Sequence, residues 1–252
     1  MKKVFLILAL MSTALLNAQT DTTITEEPKH FYEIDLLSRN VWRGIDFGNY
    51  NPSVVGVFGY APFDGMEVGV FGITTLLGTN AGYGNTFNVY ASYKYKMFKL
   101  TVDDYYFNGD ASNLPTKYED WEDTHFLEAR LKIEHKGVYI EGGYTLAGGE
   151  LYNIETDTFN NTQGAYIEAG YKGEHFAIFA GGITAPSALN FHDEAGIINT
   201  GIKYMNTIEK LNDLPFEIGV YYNPNYDNIA PVGLPRIGYG QNAFNFLVAI
   251  IL

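Results

Sequence analysis

Apolar and polar residues alternate almost strictly between His125 and Leu146. The first half has one side made of Leu127, Ala129, Leu131 and Ile133, and Glu, Arg, Lys and Glu lie between them. A period of two places these two sets on opposite faces of a β-strand. The turn sequence His-Lys-Gly at 135–137 then leads into a second alternating run. The segment therefore predicts a β-hairpin with one apolar face and one charged face.

The same period recurs from residue 30 onward and predicts twelve strands. Short turns are expected at 61–65, 96–97, 135–137, 172–174 and 206–213. Longer segments, rich in polar residues, Gly, Asn and Pro, fall at 40–50, 78–84, 108–122, 147–162, 185–193 and 224–240. An even number of strands joined alternately by short and long connections is typical of outer-membrane β-barrels. A soluble β-sandwich has no reason to collect every long loop at one end.

We therefore predict an all-β fold, a transmembrane antiparallel β-barrel of twelve strands that occupies residues 30–252. Many tyrosines fall near predicted strand ends, where amphipathic rings suit the lipid headgroup level. The last strand, 241–252, is amphipathic and resembles the C-terminal signal that the barrel-assembly machinery recognises. A soluble periplasmic β-protein is the alternative.

The N-terminus has the features of a secretory signal peptide. Lys2 and Lys3 precede an apolar run at 4–16, and Ala18 offers a small residue for cleavage. We predict a signal peptide at 1–18 and a short periplasmic lead-in at 19–29; an uncleaved membrane anchor is the alternative. No later stretch reaches the roughly 20 continuous apolar residues of a transmembrane helix.

Composition limits the partners. The formal net charge is −13, from 16 Lys and Arg against 29 Asp and Glu, which opposes a nucleic-acid partner. The chain has no Cys, which excludes disulfides and thiolate metal sites. The expected partners are outer-membrane lipid, lipopolysaccharide, the barrel-assembly machinery and a small solute of unknown identity.

Thirteen charged residues fall on the predicted inner face of the barrel. The acids are Glu33, Asp35, Asp103, Glu128, Glu134, Glu141, Glu168 and Glu217, and the bases are Lys94, Lys99, Arg130, Lys132 and Lys203. These side chains either set the ion selectivity of a pore or pair across strands and fill the interior. Eight acids against five bases favour a modest preference for cations.

The segment after the first predicted strand carries a short motif. Its characteristic positions are Ser38, Val41, Arg43, Gly44 and Pro52. This motif resembles the start of the TorF-like porin family of Gram-negative bacteria, whose members are predicted outer-membrane barrels of mostly unknown substrate. The resemblance implies a channel or transport function and no established catalytic residues.

Three charged residues in this segment are expected at the outer rim: Arg39, Arg43 and Asp46. The arginines either bind anionic groups or pair with Asp46 or a lumen carboxylate and so fix the first loop. Trp42 is expected to act as an interfacial anchor.

Other candidate chemistry is weak. The acid-rich region 103–125 is expected to be solvated loop charge; Ca²⁺ or lipopolysaccharide-bridging cations, or water activation with His125, are the alternatives. No EF-hand spacing is present. Ser187 and His192 share a loop, but no third group orients them. We predict no catalytic residue, no metal site and no cofactor.

The sequence thus predicts a non-enzymatic, porin-like outer-membrane channel that passes small solutes or ions by passive diffusion. Loops 147–162 and 224–240 are expected to fold inward as gates. The alternatives are a closed structural or adhesive barrel with functional outer loops, and an outer-membrane barrel hydrolase.

Overall fold

The computed structural model describes residues 29–48, 50–76, 85–107, 125–148, 150–153, 158–161, 163–228 and 243–252. The predicted signal peptide and nearly all of the predicted lead-in lie outside the described residues. Among the described residues, no helix has the length and apolar character that crossing a membrane requires.

Twelve strands form a closed antiparallel barrel. They are β1 (Lys29–Leu37), β4 (Ser53–Ala61), β5 (Met66–Thr75), β6 (Thr86–Tyr95), β7 (Phe98–Phe107), β8 (His125–His135), β9 (Val138–Ala147), β12 (Ala165–Lys172), β13 (Phe176–Ile183), β14 (Gly196–Ile208), β15 (Leu214–Tyr222) and β16 (Phe244–Ile251). Each pairs with its neighbours along the chain, and β1 closes the barrel against β16. The predicted fold class is confirmed.

The remaining elements are short and lie in the connections. Two small hairpins consist of β2 (Val41–Trp42) with β3 (Ile45–Asp46), and of β10 (Glu150–Asn153) with β11 (Thr158–Asn161). Short 3-10 helices occur at Glu209–Leu211 and Tyr226–Asn228. The long connections all fall at one end, here called the long-loop end, and the tight turns fall at the other, the short-turn end.

The outer face of the barrel is apolar. Large side chains at alternate strand positions are exposed there, for example Phe58, Ile140, Ile167, Ile178, Ile202, Ile218 and Phe246. Exposed aromatic residues lie near both ends, with Tyr95 and Phe98 at the short-turn end and Tyr222 and Phe244 at the long-loop end. A contiguous apolar band of this kind does not suit water, and a lipid bilayer satisfies it.

The inner face holds the charged residues because strand side chains alternate. On β8, for example, Glu128, Arg130 and Lys132 lie inside, while Leu131 is exposed outside. β8 also carries a bulge between Leu127 and Glu128. A bulge re-aims the side chain beside it, and Glu128 is almost completely buried in the interior.

The apolar band gives a test of membrane insertion. Ile202 lies in the middle of β14 on the outer face, and Val138 lies at the short-turn end of β9. We expect Ile202→Arg to lower the free energy of unfolding in lipid vesicles by about 2–4 kcal/mol, and Val138→Arg by about 0–1 kcal/mol. Urea titration of vesicle-folded protein measures both. Equal, small effects would contradict a lipid-facing band.

Candidate functional site

The β2–β3 hairpin enters the long-loop end of the lumen. Its two turn residues, Arg43 and Gly44, both have positive φ, at 47° and 80°. Two such residues between paired strands form the type I′ turn that tight hairpins prefer. A Cβ at position 44 would collide with the carbonyl oxygen of Ile198, so only glycine allows this approach to the wall.

Arg43, at the tip of the hairpin, is buried against the inner wall. One of its terminal nitrogens donates to both carboxylate oxygens of Glu128 at 2.9 Å, and the other donates to Asn190 Oδ1 at 2.7 Å. The guanidinium also lies between two rings, 4.5 Å from the Trp42 centroid and 4.1 Å from that of Tyr166. The charge is therefore paired and covered on both faces.

A second segment, 187–192, also folds into the lumen. Ser187 and His192 form a backbone bridge, with N···O distances of 2.9 and 3.2 Å. The Ser187 hydroxyl accepts from the Asn190 side chain at 2.7 Å. His192 Nδ1 donates to the Asn190 carbonyl, and its Nε2 accepts from Asn223 Nδ2 at 3.2 Å. Both side chains are thus engaged in holding the segment rather than in a nucleophile–base pair.

The two segments pack together through apolar side chains. The buried cluster consists of Ile45, Phe47, Tyr105, Phe107, Phe126, Ala188, Leu189 and Phe191. Trp42 and Phe71 pack against it. We call residues 41–47 and 187–192 the plug, because they fill the lumen near the long-loop end. The prediction that Trp42 is an interfacial anchor is wrong: the inward turn of the hairpin places its ring against Tyr105 and Phe107.

The loops predicted as gates are not those that form the plug. Loop 147–162 is described only in part, and 229–240 of the loop 224–240 lies outside the described residues, so that these loops act as gates stays a prediction. Within the described part of the chain, the lumen is filled by the first long connection and by 187–192 instead.

A cavity of about 310 Å³, here called the chamber, lies between the plug and the short-turn end. Trp42 and Arg43 of the plug form one end of its lining, and Lys172 and Met205 lie toward the opposite end. The wall between them includes charged side chains from β8, β9, β12, β14 and β15.

Aromatic rings on the chamber wall lie flat because each rests on a glycine of another strand or its own. The pairs are Tyr139 on Gly170, Tyr166 on Gly181, Phe179 on Gly201 and Tyr221 on Gly219. A Cβ would lie 2.8 Å from the ring at Gly170 and 2.7 Å from it at Gly219, closer than real Cβ contacts. The glycines therefore allow these rings to lie close to the wall that surrounds the chamber.

Most of the predicted lumen residues form ion pairs along the inner wall. Arg130 contacts Asp103 at 2.9 Å, Glu141 at 3.2 Å and Glu128 at 3.7 Å. The other pairs are Lys132–Glu134 at 2.7 Å, Lys203–Glu217 at 3.0 Å and Lys99–Glu67 at 3.2 Å. Lys132 lies over the Tyr139 ring, and Lys203 lies near the rings of Phe179 and Tyr221.

The remaining predicted residues occupy inner-face positions without such pairs. Glu33 and Asp35 lie on β1, and Lys94 lines a second cavity of about 260 Å³ at the short-turn end. Glu168 accepts hydrogen bonds from Tyr139, Tyr166 and Asn199. The structure places all thirteen residues on the inner face; that they line a conducting pore stays a prediction.

Of the two roles predicted for the rim arginines, the structure shows ion pairing with carboxylates of the same chain. Arg39 contacts Asp46 at 3.7 Å and lies over the Tyr50 ring at 4.6 Å. Arg43 is not at an accessible rim but buried against Glu128, so it cannot bind external anions in this state.

Several residues that line the lumen or hold the plug were not predicted from the sequence. Glu67 lies in a strand that is apolar on both faces, which hid its inward direction. Asn190 and Asn199 are neutral, and Lys172, which was predicted to begin the turn 172–174, is the last residue of β12. Alternation alone could have placed Asn199 and Lys172 inside, because each is four residues from a predicted lumen residue, Lys203 and Glu168 respectively.

The acid-rich region divides at the barrel wall. Asp103 faces inward to Arg130, while Asp104 faces outward and contacts His125 Nδ1 at 2.9 Å. Residues 108–124 lie outside the described part of the chain. In the described part, no three His, Asp or Glu side chains are grouped so that they could hold a metal ion.

Comparison with known proteins adds little. No family model matches the chain, and no curated protein matches it. Among solved structures, the chain is similar to OmpF of Salmonella typhi in complex with daunomycin, with 14% identity and a TM-score of 0.33. The match covers 78% of this chain and 60% of that one, so the chain spans less than two thirds of its length. The fold and the interior themselves define the class: a closed twelve-stranded antiparallel barrel with an apolar exterior and a charged lumen that is plugged near the long-loop end.

The Arg43–Glu128 pair predicts a large stability effect. We expect Glu128→Gln to lower the free energy of unfolding by about 3–5 kcal/mol, because it leaves a buried cation without its counter-ion. The exposed pair Lys99–Glu67 is the matched control, and Glu67→Gln should cost about 0–1 kcal/mol. Urea unfolding in detergent micelles measures both. A Glu128→Gln protein as stable as the control would contradict a tightly packed plug.

His192 predicts a dependence on pH. Burial lowers its pKa below the ordinary value of about 6.5. Below pH 6.5 the unfolded chain therefore binds a proton that the folded chain does not, and stability falls by up to about 1.4 kcal/mol per pH unit. Subtracting the unfolding free energy of His192→Gln from that of the wild type, between pH 7.5 and 5.5, isolates this contribution. A pH-independent difference would refute it.

Proposed function

We propose that the protein is a porin-like channel of the bacterial outer membrane that passes small solutes or ions by diffusion. The observation that carries this proposal is the apolar exterior around a charged interior that contains the chamber. Lipid-facing barrels with polar interiors are the architecture of diffusion channels. The secretory character of residues 1–18, the start of β1 and the end of β16 at the short-turn end, and the motif that resembles the TorF-like family support the same proposal.

The plug makes the channel narrow. Its aromatic cluster and the buried Arg43–Glu128 pair occupy the lumen at the long-loop end. Solutes then cross only past the plug or when it is displaced. We therefore propose that the plug limits conduction, and that the path of the solute runs through the chamber. Lipopolysaccharide and the barrel-assembly machinery remain the proposed partners.

A second candidate is a closed barrel whose function lies in its loops. The same plug favours it, since buried apolar side chains fill the lumen there. The hydrolase alternative has no comparable support, because Ser187 and His192 are both engaged within the plug.

Single-channel recording separates the two candidates. Wild-type protein, folded in detergent and added to a planar bilayer, should give small, discrete conductance steps. The double variant Arg43→Gln/Glu128→Gln removes the buried ion pair without changing net charge, and it should give larger or more frequent steps because the plug is released. A salt gradient then reads the ion preference from the reversal potential.

The matched control is Lys99→Gln/Glu67→Gln, which also removes one ion pair but lies outside the plug. It should conduct like the wild type. Heat-dependent gel mobility confirms that each variant is folded. Silent bilayers for the wild type and the plug variant, with folding confirmed, would reject the channel and leave the closed barrel.

A further inference from the structure

Two lysines face each other across a small residue at the mouth of the chamber. In the register of the sheet, Lys172 on β12 pairs with Ala177 on β13, and Ala177 pairs with Lys203 on β14. Strands two apart lie about 10 Å from each other. Both lysines line the chamber, and only a methyl group stands between them. Two long ammonium side chains over such a gap can both reach one anionic group.

The two ammonium groups are held differently. Lys203 is positioned by Glu217 at 3.0 Å and by the rings of Phe179 and Tyr221, at 5.9 and 5.5 Å. An ammonium group has three donors, so the pair with Glu217 does not exhaust it. Lys172 forms no ion pair with any described residue and is exposed. One cation is therefore fixed at the mouth and the other is available to a ligand.

A buried acceptor lies deeper in the same chamber. Asn199 is only 5% exposed, and its Nδ2 donates to Glu168 at 2.9 Å and to the Tyr166 hydroxyl at 3.1 Å. These donations fix the amide, and its Oδ1 accepts no hydrogen bond from the described residues. A buried acceptor without a donor is unfavourable. Asn199 lines the chamber but its Oδ1 is covered there, so a ligand hydroxyl supplies the missing donor only after a neighbouring side chain moves aside.

We propose that the chamber binds a small hydroxylated anion, a polyhydroxy carboxylate or a sugar phosphate. The anionic group lies between Lys172 and Lys203, and a hydroxyl donates to Asn199 Oδ1. Asn199 and Lys203 are four residues apart on β14, about 13 Å between Cα atoms, so the ligand that contacts both extends along the strand. The chamber volume of about 310 Å³ also suits a ligand of that size. This inference rests on the proposed function only in naming the solute class that the channel would admit.

Isothermal titration of detergent-folded protein tests the site without requiring conduction. The probes are gluconate and glucose 6-phosphate, which combine hydroxyls with an anion, and glucose, acetate and inorganic phosphate, which lack one or the other. We expect the two hydroxylated anions to bind at least tenfold more tightly than the other three. The stronger of the two identifies the anionic group that the lysines prefer.

Variants assign the binding to the chamber. Lys172→Gln should weaken both hydroxylated anions about tenfold, as expected for one lost charge-assisted hydrogen bond. Asn199→Leu should weaken them while leaving the affinity for inorganic phosphate unchanged. Lys210→Gln, in the exposed 3-10 helix Glu209–Leu211, removes the same charge outside the lumen and should have no effect.

The outcomes separate this proposal from the proposed function. Each of three results would overturn the site. They are no measurable binding of either hydroxylated anion, glucose that binds as tightly as gluconate, and equal losses of affinity in Lys172→Gln and Lys210→Gln. Binding that follows the prediction in a protein that is silent in bilayers would keep the site and reject the channel. Conduction without binding of the hydroxylated anions would keep the channel and reject the site.

Discussion

The buried pair between Arg43 and Glu128 is the interaction on which the interior depends. Taking two charges out of water costs several kcal/mol per ion. Here the cost is offset by the contact of one guanidinium nitrogen with both Glu128 oxygens, by the Asn190 amide and by two ring faces around the guanidinium. Because the arginine sits at a hairpin tip, this one contact fixes the depth of the first long loop. It brings Trp42 and Phe47 to the apolar cluster, and so decides where the lumen is filled and where the chamber begins.

The chamber has room because four inward-facing positions of the barrel wall around it are glycines, which have no side chain. Inward glycines on β12 to β15 let the neighbouring aromatic rings lie flat, and the rings in turn position Lys132 and Lys203. Larger residues at these positions would tilt the rings into the lumen. The same arrangement helps to keep charge inside a narrow barrel, because Arg43, Lys132 and Lys203 each have both a carboxylate and a ring face beside them.

Strict alternation made the barrel predictable, since a period of two assigns every strand residue to one face. It placed Arg130, Lys132 and their partners inside without any structural information. It could not predict the plug, because loops have no such period. The Arg43–Gly44 turn was visible only as a Gly after an Arg, and the direction of the hairpin depends on the Glu128 side chain 85 residues later. Trp42 was misplaced for that reason.

The count of charges is a poor guide to what the lumen prefers. Arg130 alone contacts Asp103, Glu128 and Glu141, so three of the eight predicted acids share one cation. The negative charge of these carboxylates is partly neutralised by Arg130 within the wall, close to the plug. At the opposite end of the chamber the balance differs, because Lys172 and Lys203 both face the cavity, with Glu217 beside Lys203 and Glu134 near Lys172. A solute that enters from the short-turn end therefore meets two closely spaced lysines, although the chain carries a net charge of −13. Local pairing, rather than total charge, sets the field that such a solute experiences.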